Sequence, residues 1–109
     1  MSNNTKPRYK LEFLAQAKED YDKLGGAQLI FVDKGLNRIR FLGMKAGAPL
    51  HGPLESCHKL KNRKMGLRIV FTQREQKIQI IQIIAIGKRR RNEVYDQAFL
   101  RLEQDQQQY

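Results

Sequence analysis

A chain of 109 residues with 40% hydrophobic and 29% charged residues has room for one folded domain and too much apolar content for wholesale disorder. Its longest apolar-leaning stretch, residues 78–86, is interrupted by Gln79 and Gln82 and falls far short of the roughly 20 residues that span a bilayer. A single cysteine, Cys57, excludes an internal disulfide and any multi-cysteine metal centre, so the expected setting is a reducing cytosol without metal or cofactor. The formal charge of +10 points to a polyanionic partner. Eleven basic residues and one acid, Glu75, lie between Lys59 and Arg91, so that window carries the whole excess.

Residues 1–7 are polar and end in Lys6-Pro7, a flexible lead. From Arg8 to Phe13 the chain alternates, with Tyr9, Leu11 and Phe13 on one side, which predicts a half-buried strand. Leu14, Ala17, Tyr21 and Leu24 recur at helical spacing, and Gly25-Gly26 ends that helix. Leu29, Val32, Leu36, Ile39 and Leu42 predict a second helix, weakened by about 1 kcal/mol at Gly35. Glycines and prolines make 43–56 a loop. Strands follow over 57–62, 67–73 and 77–86, with Arg74-Glu75-Gln76 as a hairpin turn. The last of these strands is apolar on both faces (Ile78 and Ile80, Ile81 and Ile83) and belongs inside a sheet. A closing helix is expected from an Asn92 N-cap, with Tyr95, Phe99 and Leu102 as its apolar stripe, and 103–109 as a frayed tail. The expected architecture is α+β, βααβββα: an antiparallel sheet with two helices on one face and a closing helix, in one domain over 8–102.

The chemistry-bearing residues are cations and one phenol. Phosphate-loop, metal-pair and Ser–His–Asp patterns are absent from the sequence. Lys59 and Lys61 share a strand face about 7 Å apart. Arg68 opens the next strand, Arg89 follows the third, and Tyr95 lies at the start of the last helix. Such a set suits RNA cleavage by a ribose 2′-OH on its own phosphate, which needs a base, cations for the phosphorane charge and an acid for the leaving oxygen. Crowded cations depress a lysine pKa and a nearby phenol's, whereas arginine stays protonated and clamps charge. His58 alternates away from the lysines, and Cys57 reads as a small packing residue.

The runs CHKLKNRKMGLRIVF and IGKRRRNEVY, with RYKLEFLAQAKEDYDKL at the N-terminus and LHG before the basic strand, resemble the RelE branch of the RelE/ParE toxin superfamily. The resemblance implies a ribosome-dependent mRNA endonuclease that cuts the A-site codon, leaving a 2′,3′-cyclic phosphate, and a cognate antitoxin that wraps the toxin. It implies that Lys61 or Tyr95 takes the 2′-OH proton, that Arg68 with Lys59 holds the phosphate, and that Arg89 serves the leaving oxygen. Arg63, Lys64, Lys88, Arg90 and Arg91 are then RNA contacts, ribosomal RNA included. Two other readings stand beside it: a non-enzymatic gyrase inhibitor of the ParE type, and a plain nucleic-acid-binding module.

Overall fold

The computed structural model describes residues 6–74 and 77–107, so residues 1–5 of the N-terminal lead, Glu75-Gln76 of the expected hairpin turn and 108–109 of the tail lie outside it. Among the described residues the elements run β1 (Lys10–Phe13), α1 (Ala15–Asp22), α2 (Gly26–Leu42), β2 (Ala48–Pro49), β3 (Cys57–Asn62), β4 (Leu67–Arg74), β5 (Lys77–Lys88) and α3 (Glu93–Gln107). They build a sheet ordered β1-β5-β4-β3-β2. Every pairing is antiparallel except β1 with β5, which is parallel. The expected α+β order holds, but the sheet is mixed, because β1 is carried to the far side of β5 by the helices that intervene. The expected loop over 43–56 also contains the short strand β2 and two single-turn 3-10 helices, Gly43–Ala46 and Gly52–Leu54.

Two apolar layers cover the sheet. On one face Leu67, Ile69 and Phe71 of β4 and Ile81, Ile83 and Ile86 of β5 pack with Ala17 of α1 and Val32, Leu36 and Ile39 of α2. On the other, Cys57, Val70, Ile84 and Ala85 pack with Val94 and Ala98 of α3. The two-sided apolar pattern of β5 is thereby explained, and its interior position is as expected. Val70 pairs with Ala85 but Phe71 with Ile83, so Ile84 is an extra bulge residue. The bulge turns both Ile84 and Ala85 towards α3.

Gly35, unfavourable by propensity, is favoured by packing. A Cβ there would lie 2.7 Å from Leu60 Cδ2 and 2.9 Å from Ile69 Cδ1, so the glycine lets α2 approach the sheet. Gly47 is tighter still, with a Cβ meeting the Lys59 carbonyl oxygen at 2.3 Å and Phe71 Cζ at 2.9 Å. Gly47→Ala should therefore destabilise the fold by about 1–3 kcal/mol, read as a lowered urea midpoint. Because the obstructing atom is the backbone of Lys59, the same change should also shift β3.

The stripe on α3 is rotated by one residue from the expected one. Val94 and Ala98 are its buried line, Tyr95 and Leu102 flank it, and Phe99 is 37% exposed. The helix continues to Gln107, beyond the Glu103 at which fraying was expected. One turn after Ala98 the buried line meets Arg101, only 9% exposed. Its Nη1 donates to the Asp20 carboxylate at 2.6 Å and to the Ile84 carbonyl at 3.0 Å, and Nη2 donates to Asp20 at 3.3 Å. The same carboxylate accepts the Ile86 backbone N–H at 3.0 Å. The parallel ladder with β1 stops at Ile83. Asp20 and Arg101 thus satisfy the backbone of β5 where its neighbour strand ends, and tie α3 to α1.

Candidate active site

The register of β3 on β4 sets the site. Lys61 stands opposite Arg68 and Lys59 opposite Val70, and Arg68 is opposite Gly87 on β5. Directly paired antiparallel residues point the same way, so Lys59, Lys61 and Arg68 project from the α3 face. His58 and Leu60 project from the other. His58 Nδ1 lies 2.7 Å from the Met44 carbonyl oxygen, and its ring is 6.2 Å from that of Phe71, so it is a packing residue, as its alternation implied. Cys57 is fully buried, and burial pushes its thiol pKa up.

Between β3 and β4 the chain turns through Arg63 to Gly66. Asn62 Oδ1 accepts the Met65 N–H at 3.0 Å, and Gly66 takes a φ of 66°, which only glycine adopts cheaply. The Gly66 carbonyl in turn accepts the Arg89 N–H at 2.8 Å. That bond fastens the segment after β5 to the turn, and brings arginines distant in sequence alongside the lysine strand. The result is a cavity of about 710 Å³ lined by Lys59, Lys61, Arg63, Lys64, Met65, Gly66, Arg68, Lys88, Arg89 and Arg90. Eight of these ten residues are cations and none is a carboxylate, thiol or imidazole. Such a donor set suits phosphate and does not suit a metal ion.

Within the cavity the cations differ. Arg68 is 7% exposed, and its Nη1 donates to the Leu67 carbonyl at 3.1 Å and the Asn62 carbonyl at 3.5 Å, while Nε is buried without a partner among the described residues. Its own strand and turn hold the guanidinium in place at the wall of the cavity. Lys61 is exposed, and its pKa lies below the ordinary lysine value. Repulsion from Arg63 is the main cause, followed by desolvation and then by Lys59, Arg68 and Arg89. Arg91 is exposed with φ 53° and lies outside the cavity lining. Asn92 also has a positive φ, 61°, so it closes the short turn Arg90–Asn92 instead of taking the extended backbone of the expected N-cap. Two left-handed residues cost about 1–2 kcal/mol each, and the Asn92 N–H to Arg89 carbonyl bond of 2.6 Å helps to hold them.

Tyr95 stands at the edge of this group. Lys59 Nζ lies 5.9 Å from its ring centroid, yet Tyr95 is absent from the cationic lining and instead lines a neighbouring cavity of about 350 Å³. Its ring is half-buried, and its hydroxyl oxygen is buried with no hydrogen-bond partner among the described residues. Lys59, Lys61, Arg68 and Arg89 are therefore brought together, whereas the phenol faces inward beside them. Missing from the sequence reading were Met65 and Gly66 of the lining; a glycine closing a four-residue turn between two strands is the signal that marks such a position.

No protein-family model matches the sequence. The mRNA interferase toxin RelE of Escherichia coli (strain K12) is 31% identical over 94 residues, which cover 86% of this chain and 97% of that protein. A solved structure of an Escherichia coli RelE double arginine-to-alanine mutant in the free state superposes with a TM-score of 0.71 at 29% identity, over 86% of this chain and 97% of that one. The RelE chain similarity extends to the intact Escherichia coli RelBE toxin–antitoxin complex, with a TM-score of 0.60 at 27% identity over 73% of this chain and 95% of that one. With relatedness of this extent along nearly the full length of the relatives, on a sheet that gathers the expected cations, the chain belongs to the RelE family of toxins.

Proposed function

We propose that this protein is the toxin of a toxin–antitoxin pair and a ribosome-dependent endoribonuclease that cuts mRNA in the A site by attack of a ribose 2′-OH. The observation that carries the reading is the cationic cavity in which Lys61, its pKa lowered by its neighbours, stands opposite the clamped guanidinium of Arg68. Neutral Lys61 takes the 2′-OH proton. The oxygen attacks the adjacent phosphorus, and Arg68, Lys59 and Arg89 offset the charge that gathers on the phosphorane. Arg89 offsets the charge on the departing 5′-oxygen, which takes a proton from water as the P–O5′ bond breaks, leaving a 2′,3′-cyclic phosphate and a 5′-hydroxyl. The inward phenol of Tyr95 makes Lys61 the better base and gives Tyr95 the role of holding Lys59 by a cation–π contact. Lys64, Lys88, Arg63, Arg90 and Arg91 extend the basic surface for ribosomal RNA and mRNA backbone. No described helix is long and apolar enough to cross a membrane. The antitoxin partner follows from the toxin–antitoxin complex of the relative.

The test is to supply a defined codon to the purified toxin, once in the A site of a programmed ribosome and once as free RNA. Cleavage confined to the ribosome-bound codon is expected, and intact transcripts in both arms would refute the reading. The pH dependence checks the base separately. Single-turnover cleavage should rise about tenfold per pH unit while Lys61 is protonated, and level off below the pKa of free lysine, about 10.4. Lys61→Arg, which keeps the charge but does not deprotonate, should abolish that rise.

A further inference from the structure

The second cavity differs in kind from the first. Leu50, Pro53, Leu54 and Phe99 supply apolar walls; His51, Asn92 and Asp96 supply polar groups; and no lysine or arginine lines it. A phosphate placed there would find no cation and one carboxylate. Its walls are built in advance: Leu54 is buried in the same cluster as Val94 and Ala98, the Glu55 N–H bonds the Gly52 carbonyl at 3.0 Å, and the Leu50 N–H bonds the Cys57 carbonyl at 3.0 Å. Tyr95 belongs to this lining and lies beside Lys59 of the cationic cavity, so the two cavities adjoin as the charged and uncharged parts of a nucleotide do.

We propose that this cavity receives the base of a codon nucleotide next to the scissile phosphate, and that Asp96 selects against uracil there. Single-stranded RNA is read by stacking on aromatic and apolar side chains and by hydrogen bonds to exposed base edges. Phe99 and Leu50 offer the first and Asp96 the second. A carboxylate only accepts hydrogen bonds. Adenine, cytosine and guanine each carry an amino group that donates to it, whereas the single N–H of uracil lies between two carbonyl oxygens that repel it.

The inference rests on the nuclease reading, and one experiment separates the two. Ribosomes carrying A-site codons varied at each position are treated with wild-type toxin, Asp96→Asn and Phe99→Ala, both residues being exposed. At one codon position, uracil should slow wild-type cleavage by about 10- to 150-fold relative to the other bases, the range for one hydrogen bond to a charged group. Asp96→Asn, which both donates and accepts, should shrink that gap. Phe99→Ala should raise the toxin concentration for half-maximal cleavage at every codon. Wild-type cleavage indifferent to uracil at all positions, or a gap that Asp96→Asn leaves intact, overturns the pocket while the nuclease stands. Absence of cleavage at every codon overturns both.

Discussion

Alanine at Lys61 is expected to slow codon cleavage about 10²- to 10⁴-fold, the range for removal of a general base, in single-turnover reactions on programmed ribosomes. The side chain is exposed, so the thermal midpoint should stay near that of the wild-type protein. Lys61→Arg distinguishes the two roles a lysine plays in such a cluster. If its positive charge alone mattered, arginine would restore most of the rate. If proton transfer matters, arginine remains slow, because a guanidinium does not titrate near neutrality. The second outcome is expected, since Arg63, Lys59, Arg68 and Arg89 already crowd the site with charge and depress the lysine pKa. A Lys61→Ala protein that cleaves within a few-fold of wild type would remove Lys61 from the mechanism.

The largest expected loss of stability lies away from the cavity, at Arg101. Arg101→Ala should cost about 3–5 kcal/mol, the range for removing one member of a buried ion pair. Side chains of the pair are only 10% and 18% exposed, so solvent screens them little. Alanine leaves Asp20 charged and half-satisfied and strips a donor from the Ile84 carbonyl at the uncovered end of β5. Urea unfolding measures the change. The double replacement Asp20→Asn with Arg101→Met should cost less than the sum of the two singles, because it leaves no unpaired charge. An Arg101→Ala protein within 1 kcal/mol of wild type would show that α3 is held by its apolar line alone.

Strand alternation made the lysine face of β3 legible, because a period of two assigns Lys59 and Lys61 to one side and His58 to the other without any tertiary information. The interior place of β5 was legible for the same reason, from its apolar residues on both faces. What escaped depends on contacts between distant segments. The parallel pairing of β1 with β5 joins residues seventy apart, and no local pattern encodes it. The bulge at Ile84 has no sequence mark in a run of isoleucines. On α3, Phe99 is a stronger hydrophobic signal than Val94 or Ala98, so the sequence pattern places the stripe one residue off. Arg101 reads as solvent-facing until Asp20, some eighty residues earlier, is placed opposite it. Strand placement and the family resemblance single out Lys61, Arg68 and Arg89, and their convergence follows from the β3–β4 register and the Arg89 to Gly66 bond. The inward turn of the Tyr95 hydroxyl is a packing outcome that spacing alone does not encode.

In the mechanism proposed, the cationic cavity makes the RNA attack itself. A ribosome carrying an A-site codon with a single 2′-deoxyribose immediately 5′ of the scissile phosphate, beside its all-ribose twin, tests that most directly. The all-ribose codon should be cut to a 2′,3′-cyclic phosphate end and the deoxy codon should stay whole at that bond. Scission of the deoxy codon at the same bond would contradict the mechanism, since the nucleophile would then come from somewhere other than the substrate.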